Sequence, residues 1–372
     1  MKKVLIVFGT RPEAIKMAPV ILKMQQCPEL QPIICVTGQH KEMLQSVLDI
    51  FRITPHINLD VMKANQSLSH IFNAVMLGTE QAIKDTKPDI MLVHGDVTSA
   101  VAAAMAGFYN NIPIHHVEAG LRTGDIYAPW PEEMNRKLVA TMSQFHYAPT
   151  QIAQQNLLNE NINPNTIMVT GNTVIDALLR VQENIAKDHA LQASLADQFR
   201  YLDPHKRIIL VTGHRRENFD GGLEQVCQAL IQIANAYPDI QIIYPVHLNP
   251  KVKDTVNQIL NNHASIFLVD PLDYIPFIYL MIRSYLIITD SGGIQEEAPS
   301  FGKPVLVTRT TTERPEAVTA GTVKLVGTDI KTIIDNVTLL LDNEQAYRAM
   351  AHTHNPYGDG QASDHIITHL KR

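Results

Sequence analysis

A chain of 372 residues, 45% hydrophobic and 18% charged, exceeds what one ordinary core fills and suits two domains of usual size. Its formal net charge of −6 excludes a general nucleic-acid or membrane-surface binder, because those surfaces need a cationic excess to displace counterions. The three cysteines, Cys27, Cys35 and Cys227, are odd in number and far apart, which suits buried reduced thiols rather than a disulfide framework or a zinc site. The N-terminal apolar run is too short for a signal peptide or a bilayer span, and a cytoplasmic protein is expected.

Short runs rich in Val and Ile recur with helical stretches between them, the pattern of parallel strands covered by helices on both faces. The first run, Val4 to Phe8, leads into Gly9-Thr10-Arg11-Pro12-Glu13-Ala14-Ile15-Lys16. That is a glycine turn, a proline suited to a first helical turn, and two cations a little over a turn apart, but not the three-glycine dinucleotide fingerprint. Arg11 and Lys16 face phosphate oxygens, balance a carboxylate cluster, or are the solvated cations of a capped surface helix. Strands are expected next at Pro32 to Thr37 and at Ile90 to His94, the second running into Gly95-Asp96-Val97-Thr98. Asp96 is either the N-cap of the following helix or a working carboxylate.

The strand expected at Ile112 to Val117 ends in Glu118-Ala119-Gly120-Leu121-Arg122, and the loop beyond it supplies Trp130-Pro131-Glu132-Glu133-Met134-Asn135-Arg136. Three loops on one sheet edge thus deliver Asp96, Glu118 and Glu132. Carboxylates gathered in a cleft repel one another, which raises the proton affinity of at least one of them toward that of a base able to work on carbon near neutral pH. The alternative is three unconnected surface acids. His115 and His116 are adjacent on a strand and point to opposite faces, and no HExxH or CxxC spacing accompanies the 16 histidines.

A fifth strand at Ile167 to Thr170 closes a first domain of residues 1–170, with the hinge near Gly171. The stretch from Gly171 to Pro204 reads as amphipathic helix and polar connection. A second domain, 171–359, carries strands at Ile208 to Thr212, Ile240 to Val246, Ile266 to Val269, Leu286 to Thr289, Val305 to Val307 and Val323 to Val326. After its NPYGDG turn, a last helix in 360–372 is expected to pack back on the first domain. In such doubly wound sheets ligands lie beyond the carboxyl ends of the strands.

There the second domain offers Thr212-Gly213-His214-Arg215-Arg216-Glu217-Asn218. His214 is a proton donor to a departing phosphate, an anchor for it, or a structural histidine. Arg215 and Arg216 make an anion site or form salt bridges. The segment Thr289-Asp290-Ser291-Gly292-Gly293-Ile294-Gln295-Glu296-Glu297 turns a strand into a helix through Ser-Gly-Gly. Such a backbone approaches a pyrophosphate closely, with Glu297 placed to accept from ribose hydroxyls, unless the turn is merely structural. Arg314 either closes on the diphosphate or is solvated.

Taken together, FGTRPEAIKMAP, HGD, HVEAGLRTGD, PWPEEMNR, TGHRREN, DSGGIQEEAP, TTERPEAV and NPYGDG resemble, in order and over essentially the whole chain, the non-hydrolysing UDP-N-acetylglucosamine 2-epimerases of bacteria. The resemblance implies the GT-B architecture: α/β, with two Rossmann-like doubly wound parallel-sheet domains and the active site in the cleft between them. It implies no added cofactor and no metal, UDP-GlcNAc and UDP-ManNAc as ligands, and a homodimer formed through the first domain. By motif match, Asp96, Glu118 and Glu132 are the catalytic carboxylates and His214 lies near the leaving diphosphate. Arg11, Lys16, Phe277, Ser291, Gly292, Gly293, Glu297 and Arg314 contact the nucleotide sugar.

The implied reaction is a reversible elimination of UDP to a 2-acetamidoglucal, with re-addition from the other face, supplying ManNAc units for cell-surface polysaccharide. Some members also need substrate as an allosteric activator. Gln39, His40, Arg215 and His247 match that second site, whereas Glu42 stands where some members have glutamine and Asn65 where some have arginine. A GT-B glycosyltransferase, a hydrolysing epimerase that frees ManNAc and UDP, and a catalytically silent nucleotide-sugar sensor are the competing readings. Within the Glu-Glu pair, Glu133→Ala is expected to be milder than Glu132→Ala.

Overall fold

The computed structural model describes residues 1–38, 41–61 and 66–372. Its compact units are Met1–Ala177 with Tyr357–Arg372, and Leu178–Pro356. The first unit holds strands β1 (Lys2–Phe8), β2 (Leu30–Val36), β3 (Ile57–Asn58), β4 (Ile90–His94), β5 (Ile114–Val117), β6 (Phe145–Ala148) and β7 (Ile167–Val169), all paired in parallel in the order β3-β2-β1-β4-β5-β6-β7. The second holds β8 (Arg207–Thr212), β9 (Ile240–Pro245), β10 (Ile266–Val269), β11 (Leu286–Thr289), β12 (Val305–Val307) and β13 (Val323–Leu325), again parallel, in the order β10-β9-β8-β11-β12-β13.

Both orders reverse direction at one place, between β1 and β4 in the first sheet and between β8 and β11 in the second. At such a switch point the connections leave to opposite sides and open a crevice at the carboxyl ends of the strands. The Gly9 and Gly95 turns follow β1 and β4, and the Gly213 and Asp290 turns follow β8 and β11. The motifs therefore sit where this topology leaves room for a ligand.

The strands read as continuous Val/Ile runs because helices cover both sheet faces. Every residue of β4 is buried, as are the last five of β1. The helix Arg11–Gln25 starts at a capping box: the Thr10 hydroxyl accepts from the Glu13 amide, and Glu13 reaches back to the Thr10 amide. Such a cap is worth about 1 kcal/mol.

Two strands were not foreseen, β3 and β6. β6 reads Phe-His-Tyr-Ala and lacks the aliphatic run that marks its neighbours. Its polar atoms find partners inside the fold: His146 Nε2 meets the Ala140 carbonyl at 3.0 Å, and the Tyr147 hydroxyl meets His115 Nδ1 at 3.0 Å and His369 Nδ1 at 2.9 Å. The His369 contact also holds the last helix, Ala362–Leu370, which packs against Arg11–Gln25 in the first unit. The Lys23–Asp364 ion pair at 2.8 Å supports the same contact.

The units divide inside the helix Thr173–Lys187, beyond the 170/171 division that sequence favours. Its first turn belongs with the first unit because the buried Asp176 carboxylate accepts from the amides of Ala362 and Ser363, at 3.2 and 2.8 Å, and from the Ser363 hydroxyl at 2.5 Å. All three cysteines are free and buried. Among the described residues no helix is long and apolar enough to cross a membrane.

Candidate functional site

In the first unit the parallel register sets His94 against Val117, so Gly95 and Glu118 occupy equivalent positions just past the ends of β4 and β5. Both turn left-handed, with φ of +63° at Gly95 and +62° at Glu118. Glycine takes that conformation without penalty, whereas a glutamate there costs on the order of 1 kcal/mol and is held by its surroundings. Those surroundings are visible: the Gly95 amide donates to the Val117 carbonyl at 3.0 Å, and His116 Nε2 approaches the Gly95 carbonyl at 2.8 Å. The turn at Glu118 aims its carboxylate at Lys16, with which it forms a short ion pair, and at Asn172 Nδ2, 3.1 Å away.

Lys16 thus stands against a carboxylate, one of the roles its spacing allowed. His94 Nε2 lies 4.0 Å from the same Glu118 oxygen. Burial holds His94 down to about 4 and outweighs the nearby carboxylate, so the ring is neutral at physiological pH.

Asp96 is not a helix cap. The cap position of the helix Thr98–Tyr109 is Val97, and the Asp96 carboxylate is gripped by Arg136, at 2.8 Å from Nε and 2.6 Å from Nη2. Arg136 also binds Glu133 at 3.0 Å, and Asn135 Nδ2 donates to the Asp96 carbonyl at 2.7 Å. Glu132 opens the helix Glu132–Met142 and is half-buried. Glu133, the next residue, is fully buried and accepts the Gly124 amide at 3.2 Å.

The expected order within this pair therefore applies to turnover alone. Glu133→Ala should destabilise the first unit by about 2–4 kcal/mol, because it leaves Nη1 of Arg136 and the backbone amide of Gly124 without their acceptor in a fully buried place. Glu132→Ala should leave the denaturant midpoint nearly unchanged while lowering turnover. Equal midpoints for the two variants would contradict this account of Glu133.

Glu13 is 3% exposed, and one of its carboxylate oxygens accepts from the amides of Gly9, at 3.0 Å, and Thr10, at 2.8 Å. Burial pushes this carboxyl up to about 7 despite those hydrogen bonds, with Asp96 adding a smaller push in the same direction. The folded chain thus holds the proton more tightly than the unfolded chain, whose value is near 4.5. Stability from this group is full below pH 4.5 and falls as pH rises through 7, by roughly 3 kcal/mol in total. Glu13→Gln should flatten the decline in unfolding free energy between pH 5 and pH 8. An unchanged decline in urea titrations would show that the proton sits elsewhere.

In the second unit the organising group is Asp290, 1% exposed, at the end of β11. Its Oδ2 accepts from the amides of His214 and Arg215, each at 2.8 Å, and its Oδ1 lies 3.2 Å from His214 Nδ1. Burial pushes this carboxyl up, but the hydrogen bonds from His214 and the two amides outweigh it and hold the group below its usual value. The loop after β8 is thereby fastened to the switch point with the His214 ring oriented. Gly213 is required in that loop: a Cβ there would lie 2.7 Å from the Tyr244 hydroxyl.

Beyond Asp290, Ser291-Gly292-Gly293 opens the helix Gly292–Glu297, and no side chain caps it. Arg314 lies over Gly292, where an added Cβ would meet its guanidinium carbon at 3.3 Å, and Glu297 Oε1 would lie 3.6 Å from a Cβ on Gly293. Glu296 fixes Arg314 Nε at 2.7 Å. Four of the expected nucleotide contacts, Ser291 to Gly293 and Arg314, with Glu297 beside them, are therefore one cluster. Phe277 is half-buried on the helix Tyr274–Arg283, which packs against the turn Ala298–Phe301 that follows this cluster.

Arg11 is partly buried at the start of its helix. His247 stacks on His214 with ring centroids 5.6 Å apart, and the Arg215 side chain is partly buried. Gln39, His40 and Asn65 lie outside the described residues, as does the side chain of Glu42.

Sequence reasoning missed Asn172, Arg136, Glu13 and Asp290 as site-forming residues. Arg136, Glu13 and Asp290 stood inside quoted motifs and Asn172 beside the Gly171 hinge, but only its spatial partner gives each a role. Arg122, in contrast, serves structure: it forms an ion pair with Glu160 at 2.7 Å. Among the described residues no group of His, Cys, Asp and Glu could hold a metal ion.

The family model for UDP-N-acetylglucosamine 2-epimerase matches residues 22–371. The chain is 55% identical to the UDP-N-acetylglucosamine 2-epimerase of Yersinia pestis, over 99% of this chain and 98% of that one. It is 54% identical to the enzyme of the same name from Escherichia coli K12, with the same coverage. Among solved structures, the UDP-GlcNAc 2-epimerase of Neisseria meningitidis bound to UDP-GlcNAc has a TM-score of 0.90 at 47% identity, covering 99% of each chain. A glycosyltransferase from Rickettsia africae, at 16% identity and a TM-score of 0.64 over 100% of this chain and 98% of that one, shares the fold alone. The two sheets are accordingly the Rossmann-like pair of the GT-B type, and with matches that run almost end to end, this chain belongs to the UDP-N-acetylglucosamine 2-epimerase family.

Proposed function

We propose that this protein interconverts UDP-N-acetylglucosamine and UDP-N-acetylmannosamine at carbon 2 of the sugar without releasing a free sugar. The observation that carries the reading is the pair of charge-partnered carboxylates past the ends of adjacent strands, Glu118 with Lys16 and Asp96 with Arg136. Inverting a carbon centre by proton removal and return requires acid–base groups on both faces of that carbon, and one carboxylate serves one face. Glu132 is the third acid of the set.

In the proposed step a carboxylate takes the proton from carbon 2. The electron pair of that C–H bond forms the C1–C2 double bond, and the C1–O bond breaks with its electrons leaving on UDP. The products held at the site are a 2-acetamidoglucal and UDP. Re-addition of UDP at carbon 1, with protonation of carbon 2 from the opposite face, gives the epimer.

The second unit takes the nucleotide: the Ser291-Gly292-Gly293 backbone and Arg314 receive the diphosphate, Glu297 the ribose hydroxyls, and His214 the departing phosphate oxygen. Donors already fixed in place stabilise the charge that develops on the leaving group, because they need not reorganise as it forms. No added cofactor is needed, since carboxylates move the proton and the nucleotide is itself the leaving group. The reading extends to a cytoplasmic homodimer formed through the first unit, where Leu77, Phe108 and Tyr109 are more than half exposed on two packed helices. Light scattering of the purified protein tests the dimer.

The test of the reaction is incubation with UDP-N-acetylglucosamine in heavy water, followed by proton NMR and mass spectrometry. UDP-N-acetylmannosamine carrying one deuterium at carbon 2 is expected. Free N-acetylmannosamine with UDP would replace this reading with a hydrolysing epimerase. No epimer and no exchange would leave a transferase or a binding protein.

A further inference from the structure

Glu118 receives two donors on the same oxygen, Oε2: the Lys16 ammonium and the Asn172 side-chain amide at 3.1 Å. Asn172 is 3% exposed, and its other polar groups are engaged too. Its backbone N–H donates to the Tyr357 carbonyl at 2.7 Å, and its Oδ1 accepts from the Val174 amide at 3.0 Å, at the start of the helix Thr173–Lys187. The bond to Tyr357 joins the two stretches of chain at which the first unit ends and resumes. They approach so closely there that a Cβ on Gly171, whose φ is +87°, would lie 3.4 Å from the Tyr357 carbonyl and 3.5 Å from the Gly358 Cα. The side-chain amide of Asn172 therefore cannot turn to other partners without giving up the bond from the Val174 amide to its Oδ1.

We propose that Asn172 is a positioning residue for the Glu118 carboxylate, fixing the rotamer in which Glu118 pairs with Lys16 and tying it to the crossing of the two chain segments at Tyr357. The inference rests on the epimerase reading, in which Glu118 moves the proton at carbon 2. The physical case is a comparison of donors. An ammonium on a long flexible side chain attracts a carboxylate from many directions, whereas a buried amide whose oxygen is held by the Val174 N–H, on a backbone itself bonded to Tyr357, donates to it from only one. Lys16 supplies charge and Asn172 supplies direction, at a residue whose left-handed backbone must be held by its neighbours. Among the described residues, Lys16 from the helix Arg11–Gln25 and the neutral His94 at the end of β4 are titratable groups that also face Glu118.

The deciding variant is Asn172→Asp. It keeps the oxygen that accepts from Val174 and the backbone bond to Tyr357, and replaces only the donor to Glu118, by a second carboxylate. Losing a hydrogen bond to the charged form and gaining a like charge both favour protonation. The acid limb of kcat/KM against pH should therefore move up by about one unit, and kcat at pH 7.5 should fall roughly tenfold or more. UDP binding by the second unit should be unchanged.

Asn172→Ser is measured beside it. Its hydroxyl is able to accept from Val174 but does not reach Glu118, so the acid limb should shift in the same direction by a smaller amount, and failure of one variant to fold leaves the other to decide. Wild-type pH profiles for both epimer formation and deuterium uptake at carbon 2, whatever the thermal stability, would reduce Asn172 to a structural residue and overturn the proposal. Loss of all turnover in the unmodified protein would instead defeat the epimerase reading, so the two failures are distinguishable.

Discussion

Glu118→Gln is expected to lower epimer formation by about a thousandfold, within the range set by general acid–base groups, with the protein still folded. Glutamine has nearly the shape of glutamate and keeps one oxygen for Asn172 or Lys16, but it accepts no proton from carbon. Deuterium uptake at carbon 2 should fall with it, because in the proposed reaction exchange and epimerisation share the proton-removal step. Asp96→Asn should have an effect of similar size, since Arg136 retains Glu133 as a partner at 3.0 Å and the local structure survives. Uptake at the wild-type rate in either variant, followed by NMR, would remove that acid from the mechanism.

The second large effect is expected at Asp290, and its signature is different. Asp290→Ala strips the acceptor from the amides of His214 and Arg215 in a place that is almost completely buried. Each orphaned buried donor costs about 1–3 kcal/mol, so the second unit should lose roughly 2–5 kcal/mol of stability. UDP affinity should fall at least tenfold, because the loop that carries His214 is no longer fastened beside the Ser-Gly-Gly turn.

His214→Ala is the control. That side chain is 39% exposed, so its removal should cost little stability, while turnover should still drop severely if it meets the leaving phosphate. Denaturant melts with UDP calorimetry on both variants make the comparison. Equal stability for the two would mean that Asp290 does not organise this loop.

Much of the fold was legible because parallel strands buried on both faces write themselves as aliphatic runs, and glycine marks the turns after them. Residues Val4 to Phe8 and Ile90 to His94 fall within β1 and β4 as expected. Where the local signal is weak the reading fails. β3 is two residues long, and β6 is half polar, with its histidine and tyrosine bonded inside the fold. The division between units falls beyond Gly171 because the first turn of the helix Thr173–Lys187 is held through Asp176 by a helix at the other end of the chain, which no local pattern encodes.

The candidate site divides along the same line. The sequence by itself determined which residues stand at strand ends: Gly9, Gly95, Asp96, Glu118, Gly213, His214 and the Ser291-Gly292-Gly293 turn follow their strands because hydrophobic periodicity stops there. It also determined family membership, since that follows from the order of motifs along the chain. Only the tertiary structure decided what each of those groups faces. Lys16 meets Glu118 across 102 residues, Asp96 meets Arg136 across 40, and Asp290 meets the His214 amide across 76. The physical reason is the strand order: β1 lies between β2 and β4, and β8 between β9 and β11, so the partner of a side chain at a strand end comes from a loop or helix distant in sequence. Partnership of that kind, and the burial that gives it strength, is a property of the packed sheet and not of any segment within it.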